Sequence, residues 1–334
     1  MEDKTKIHLT SAEMSSLWTQ YINDTAAKYT NAYFLATSED DEVSPIIEWT
    51  KEVAENNLLM MKEIFEKDNF PIPVGFTYQD VNHKAPKLFS DSFILMFLRQ
   101  MSIIAMETSS AAIGLATRPD VVTFHKRILK KAVELQDRTR DLMLKQGIYN
   151  KTPDLPIPDK AEFIKKQHFL SGYIGNKRSL TSIEIANLFV NIETNAVGKA
   201  LMIGFAQTAK GKEVVQFMLR GKKIAKKHMK ILSQYLINED LPVTSTWDDE
   251  VSDSTTPVFS DKIIMYYALA MNATGIGNYG MAMAQSLRRD LGAKYALLIP
   301  EAALYAEDGA SLMIKEGWME EPPQAIDRDK LAKS

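Results

Sequence analysis

Leu9-Thr10-Ser11-Ala12-Glu13 returns in the chain as Leu180-Thr181-Ser182-Ile183-Glu184, at an offset of 171 residues. Two further stretches return in the same order at an offset of 170 residues: Phe89-Ser90-Asp91 as Phe259-Ser260-Asp261, and Leu142-Met143-Leu144-Lys145-Gln146-Gly147 as Leu312-Met313-Ile314-Lys315-Glu316-Gly317. Three matches in one order, with a single residue lost between them, indicate an internally duplicated domain. Residues that both copies share are expected to build the fold. A site that needs the same ligands in both copies is not expected where the copies differ.

The repeated stretches mark helix boundaries, and each copy is predicted to contain four helices. Thr10 with Glu13, and Thr181 with Glu184, have the spacing of a capping box at the start of the first helix. The serine of each Phe-Ser-Asp stretch is expected to cap the third helix, and the glycine that closes the last stretch is expected to end the fourth. The chain is therefore predicted to be all-α.

The lengths of the connections predict how these helices are arranged. Short polar turns join the first helix to the second and the third to the fourth, so each pair is predicted to form an antiparallel hairpin. A much longer stretch separates the second and third helices, covering 68–89 in the first copy and 238–259 in the second. It can cross a bundle of about 37 Å, the length of roughly 25 helical residues. Two hairpins joined by one long crossover predict tandem ferritin-like four-helix bundles; a pair of up-down bundles with longer loops is the alternative.

The domain boundaries follow from the repeat. Residues 1–150 are predicted to form the first ferritin-like bundle and residues 180–334 the second. Residues 151–179 are predicted to be a linker, with a short helix considered for 161–169. Pro300 falls inside the last predicted helix of the second bundle, so a kink is expected there.

The composition excludes several classes of function. The 334 residues include no cysteine, which excludes disulfides, thiolate metal ligands and cysteine nucleophiles. A net charge of −3 provides no basic field for nucleic acid, and no aromatic platform accompanies the lysines. No stretch is apolar enough for a signal peptide or long enough for a membrane span, so a cytoplasmic protein is expected.

A ferritin-like fold raises the question of a di-metal centre. The active version of that centre takes a Glu-x-x-His pair from each of two helices, which places both ligands on one helix face. No Glu-x-x-His occurs in this chain. The ordinary di-iron centre is therefore predicted to be absent and no cofactor is expected, while iron, manganese and zinc are the metals that an atypical site would bind.

Two pairs of residues are the candidates for an atypical metal site. His228 lies on the inward face of the second helix of its bundle, and Glu193 on the first helix could reach it. Glu107 and His125 are predicted to lie across a hairpin in the first bundle. The counterparts of these four residues in the other copy are Asn57, Ile22, Gly277 and Tyr295. Any such site would therefore belong to one bundle, and a buried polar group with a hydrogen-bonding partner is the alternative for His228.

Two helices of the second copy have an unusual composition. Its third helix is rich in glycine and alanine, which predicts either close packing against another helix or a ligand cavity. Its second helix carries eight basic residues, where the first copy has glutamates among its lysines. This basic helix is interpreted as a solvated face, with contact to an acidic surface as the alternative, either within the protein or on a partner. The basic residues are Lys210, Lys212, Arg220, Lys222, Lys223, Lys226, Lys227 and Lys230.

The duplicated Leu-Thr-Ser-x-Glu, Phe-Ser-Asp and Leu-Met-x-Lys-x-Gly stretches resemble a family of tandem ferritin-like proteins of unknown function from endospore-forming bacteria, sometimes labelled spore-coat-like. The resemblance covers nearly the whole chain. It implies tandem four-helix bundles and a connection with sporulation, and it provides no catalytic residues to transfer.

We therefore expect a non-enzymatic structural or interaction protein with a protein partner or self-association, in the cytoplasm or associated with the spore. The alternative function is a metal- or small-molecule-binding protein, including an oxidoreductase, with an atypical site in one bundle.

Overall fold

A computed structural model describes residues 8–173 and 177–333, and in these ranges the chain is all-helical. Four long helices form the first bundle: α1 (Ser11–Thr37), α2 (Ser44–Asp68), α3 (Asp91–Leu115) and α4 (Pro119–Gln146). Four more form the second bundle: α5 (Ser182–Thr208), α6 (Lys212–Ile237), α7 (Asp261–Gln285) and α8 (Arg289–Lys315). A short helix, α9 (Arg328–Lys333), follows in the C-terminal tail. The chain thus consists of two tandem ferritin-like bundles related by duplication, as the sequence predicts.

The predicted caps form at both ends of the helices. Thr10 and Thr181 each make a complete capping box with the glutamate three residues later. Gly147 and Gly317 have φ values of 71° and 70°, in the left-handed region where a side chain would be strained. At the start of α2 the side chain of the N-cap residue Val43 makes no hydrogen bond, and Asp40 accepts the backbone N–H groups of Val43 and Ser44.

The two long crossovers pair with each other and lock the bundles together. The backbone N–H of Asn82 donates to the carbonyl of Val258 at 2.7 Å, and the equivalent N–H of Ser252 donates to the carbonyl of Leu88 at 2.9 Å. Antiparallel bridges join Val81 to Phe259 and Phe89 to Val251, which exchange places under the same repeat. The crossovers are therefore related by a pseudo-twofold axis that passes between the bundles.

One hydrophobic core runs through this junction. Its centre is a group of edge-to-face aromatic pairs that includes Phe34 with Phe259, Phe89 with Phe205, and Phe97 with Tyr267. Helices α1, α3, α5 and α7 supply residues to it from both bundles. Because the core crosses the pseudo-twofold axis, the two copies pack as one body.

The linker differs from the sequence prediction. The short helix considered for 161–169 is reduced to a 3₁₀ turn at Gln167–Leu170, and the preceding linker residues are not helical. Pro300 lies within α8 as predicted.

Candidate functional site

A chain of hydrogen bonds crosses the interior of the second bundle at the height of His228. His228 on α6 is 1% exposed, and its Nδ1 lies 2.9 Å from the hydroxyl of Tyr279 on α7. Its Nε2 lies 2.9 Å from Oε2 of Glu301 on α8. The amide of Asn195 on α5 donates to the Tyr279 hydroxyl at 2.7 Å, and Lys227 binds Glu301 from the solvent side. We call these five residues the His228 chain.

The charges of this chain favour a neutral histidine. Burial lowers the pKa of His228, and hydrogen bonding to Glu301 only partly opposes that shift. The hydrogen bond from Lys227 lowers the pKa of Glu301, so Glu301 is a carboxylate that accepts a hydrogen bond from the Nε2–H of His228. Nδ1 then accepts a hydrogen bond from Tyr279, whose pKa burial raises. Every ring nitrogen of His228 thus has a protein partner.

A cavity of about 70 Å³ lies beside the His228 chain. Its walls include three glycines on three helices, Gly198, Gly221 and Gly275, and the first copy has Ala27, Thr50 and Ala105 at these positions. Thr194, which is 4% exposed, also lines the cavity, and its hydroxyl has no hydrogen-bond partner among the described residues. Glycine at these three positions is therefore particular to the second copy, and the ligand-cavity interpretation of the small residues applies to Gly275.

Replacing the cavity glycines by alanine should change the stability of the protein in opposite directions at Gly275 and Gly221. Gly275→Ala is expected to stabilise the protein by about 1 kcal/mol, because alanine favours the helix and no atom lies within 4 Å of the new Cβ. Gly221→Ala, the matched control, should destabilise it, because that Cβ would overlap the hydroxyl of Tyr305 and lie 2.9 Å from its Cζ. Urea unfolding of both variants measures the difference, and a destabilised Gly275→Ala would contradict the prediction.

The equivalent position in the first bundle holds a buried carboxyl group. Asp24 on α1 is 5% exposed and accepts a hydrogen bond from the Gln20 amide at 2.9 Å. Asn57, the counterpart of His228, also bonds to Asp24, and Arg127 donates to Asn57 at 3.3 Å. We call these four residues the Asp24 cluster. Burial raises the pKa of Asp24 to about 7, although its partners act in the opposite direction.

Asp24 should make the stability of the protein depend on pH. In the unfolded chain Asp24 titrates near its ordinary value of 3.8, whereas in the fold it keeps its proton up to about pH 7. The unfolded state therefore binds fewer protons in this window, so stability falls as the pH rises from about 4 to 7, by on the order of 4 kcal/mol. Asp24→Asn should remove this loss and be more stable than the wild type at pH 8. Thermal unfolding of both proteins across this pH range tests the prediction, and equal slopes would contradict it.

The structure places the predicted site residues with other partners. Glu193 on α5 forms an ion pair with Arg99 on α3 at 2.9 Å, while the ring nitrogens of His228 bind Tyr279 and Glu301. The pairing of Glu193 with His228 is therefore not formed.

The second predicted pairing is not formed either. His125 is 2% exposed, its Nε2 lies 3.1 Å from the hydroxyl of Ser16, and burial lowers its pKa to about 4. Glu107 lies on the exposed surface of α3. In the described ranges, no group of three or more histidine, aspartate or glutamate side chains is placed to hold a metal ion.

Sequence reasoning missed Glu301, Tyr279, Asp24 and Arg99 as partners in these interior contacts. Asn195 and Asp24 occupy equivalent positions of the repeat, as His228 and Asn57 do. Both copies therefore have a polar residue on the first helix as well as on the second, and this pattern could have indicated a polar interior. The sequence contained no such signal for Glu301, because the equivalent residue of the first copy is Lys131.

Comparison with known proteins bears on the family of the chain. A family model described as "Protein of unknown function (DUF3231)" matches twice, over residues 2–160 and 168–331. No curated protein matches the sequence significantly. A solved structure described as a "putative spore coat protein" from Bacillus halodurans shares 17% identity and a TM-score of 0.39, over 47% of this chain and 98% of that one. A TM-score this low carries no argument about function. Among the described helices, none has the length and apolar character needed to cross a bilayer.

Proposed function

This chain belongs to the DUF3231 family of proteins of unknown function, and we propose that it serves as a non-enzymatic structural or interaction protein. A protein partner or a second copy would bind its surface. Its place would be the cytoplasm or a spore-associated assembly, and the resemblance of its repeated stretches to spore-coat-like proteins is what supports the association with the spore.

The different interiors of the two bundles carry the proposal. In the His228 chain and the Asp24 cluster, polar side chains at equivalent heights bind one another instead of converging on a common point. A di-metal or general acid–base site needs groups that point at one reacting position. The His228 chain and the Asp24 cluster also contain different residues at equivalent positions, as Asn57 and His228 show. The two bundles therefore have no common set of reactive groups that would support one reaction.

Measuring the metal content of the purified protein tests the proposal that it has no metal centre. Untagged protein purified without chelators, from cells grown with iron, manganese and zinc, is expected to contain far less than one metal ion per chain. His228→Ala and His125→Ala are the matched variants in the two bundles. Near-stoichiometric metal that disappears in either variant would overturn the proposal and assign the site to one bundle.

The interaction half of the proposal is tested in the native organism. Size fractionation of lysates through growth and sporulation is expected to place the protein in an assembly larger than the monomer. A monomer at every stage would contradict it.

A second candidate function is the binding of a small molecule in the second bundle. The observation that favours it is the cavity beside the His228 chain, whose wall includes Thr194, a residue with a buried hydroxyl that has no partner in the described part of the chain. A cavity of this volume suits a small polar molecule or ordered water. A thermal shift with a panel of short alcohols and amides, lost in Gly275→Ala, would support this function, and no shift with any of them would oppose it.

A further inference from the structure

Two faces that the pseudo-twofold axis relates carry opposite charge. On α2 and the turn before it, Asp41, Glu48, Glu52 and Glu55 form what we call the acidic face. On α6, Lys212, Lys223, Lys226 and Lys230 form what we call the basic face. Three positions reverse their charge directly under the repeat: Asp41 against Lys212, Glu52 against Lys223, and Glu55 against Lys226. The duplication thus kept the helices and reversed the sign of the charge at these three positions.

The charges of both faces are available to a partner. Glu52, Lys223, Lys226 and Lys230 are exposed, and in the described part of the chain no ion pair holds any of them. Other charges nearby are already used within the fold, as in the pairs Arg220 with Asp308 and Lys315 with Glu213. Glu55 is held only by Lys28 at 3.5 Å, with both side chains about one-third exposed. Interactions of this kind between solvated groups are weak and easily exchanged.

The two faces lie on equivalent helices of the repeat. Helix α2 has 25 residues and α6 has 26, and each packs against the fourth helix of its bundle. Beside the basic face, a groove between α6 and α8 is floored by the apolar side chains of Phe217, Leu219 and Leu312. The matching surface of the first bundle has Ile46, Glu48 and Leu142 at these positions.

We propose that the chain assembles head to tail, with the basic face of one copy bound to the acidic face of the next. The proposal rests on the structural or interaction function above and names a second copy as the partner. Like faces would repel, so the contact is heterologous, with different surfaces on the two copies. A heterologous contact that repeats gives a ring when the rotation closes and an open filament when it does not.

Reciprocal charge reversal tests this contact. Lys223→Glu with Lys226→Glu cancels the net charge of the basic face, and Glu52→Lys with Glu55→Lys cancels the net charge of the acidic face. Neither should self-associate, whereas an equimolar mixture of the two should. In a variant that carries all four substitutions neither face keeps a net charge, so it should stay monomeric like the two double variants. Lys165→Glu with Lys166→Glu, in the exposed linker, is the control with the same change of net charge as the first variant.

Light scattering and sedimentation measure the average mass of each protein at low and high salt. The wild type and the linker control are expected to exceed twice the monomer mass at about 20 mM salt and to dissociate at about 500 mM, where charges are screened within a few ångströms. A wild type that is monomeric at low salt overturns the proposal. So does association that persists in either double variant, or a mixture that stays monomeric. Failure here leaves the proposed function standing if the protein is still found in an assembly in lysates, whereas bound metal would remove that function without affecting this contact.

Discussion

Glu193→Ala is expected to destabilise the protein by about 3–5 kcal/mol, because it leaves the guanidinium of Arg99 buried without its counter-charge. The two side chains join α5 to α3 across the boundary between the bundles, at 2.9 Å and with at most 10% of either exposed. Burial raises the pKa of Glu193 despite the attraction of Arg99, so removing these charges from water has a large cost. Urea unfolding measures the loss.

The duplication supplies the control for this prediction. The counterparts of Glu193 and Arg99 are Ile22 and Leu269, two apolar residues packed on the same core. A Glu193→Ile, Arg99→Leu double variant copies that arrangement and should recover the stability of the wild type or exceed it by about 1–4 kcal/mol, since apolar replacements of buried ion pairs are often neutral or stabilising. A double variant as unstable as Glu193→Ala would show that the attraction within the ion pair stabilises the fold by more than the burial of its two charges destabilises it.

The features that the sequence predicted well are those that local chemistry decides. The capping boxes at Thr10 and Thr181 and the left-handed glycines Gly147 and Gly317 each depend on a few neighbouring residues. The crossovers followed from the lengths of connections alone. All of these signals appeared twice, so each copy served as an independent check on the other.

The partners inside the bundles could not be predicted in the same way. Arg99 and Glu193 lie 94 residues apart and meet only because the bundles pack about the pseudo-twofold axis. His228 was correctly placed inside, but the geometry that joins it to Glu301 depends on how α6 and α8 are rotated against each other. Hydrophobic periodicity gives the inward face of a helix and not the residue that it meets there.

A second large loss of stability is expected when the repeated capping glutamates are removed. Glu184 is 0% exposed, binds Arg178 through both carboxylate oxygens at 2.7 and 2.8 Å, and accepts the backbone N–H groups of Thr181 and Arg288. Glu184→Ala leaves these donors unsatisfied and should cost about 3–5 kcal/mol, the loss typical of a broken buried ion pair. Chemical denaturation of the variant beside the wild type gives the value.

Glu13 provides a comparison in which no arginine side chain takes part. Its Oε1 accepts the backbone N–H groups of Thr117 and Arg118, both at 2.8 Å, and its Oε2 accepts that of Thr10, so one side chain ties the start of α1 to the turn between α3 and α4. Each buried donor left without a partner costs about 1–3 kcal/mol, so Glu13→Ala should also be strongly destabilising. Glu13→Gln should cost less, because its amide can still accept on one side.

Acid unfolding distinguishes the hydrogen bonds accepted by the Glu13 carboxylate from a simple loss of packing. Burial alone would raise the pKa of Glu13, but the N–H donors of Thr10, Arg118 and Thr117 lower it from 4.5 to about 2. The folded state therefore holds fewer protons than the unfolded state, and the stability that Glu13 contributes is present above pH 4.5 and lost as the pH falls toward 2. Stability should consequently fall less steeply with acid in Glu13→Gln than in the wild type. The same acid slope in both proteins would mean that the carboxylate charge does not hold the turn, and that the cost of Glu13→Ala comes from the space the side chain fills.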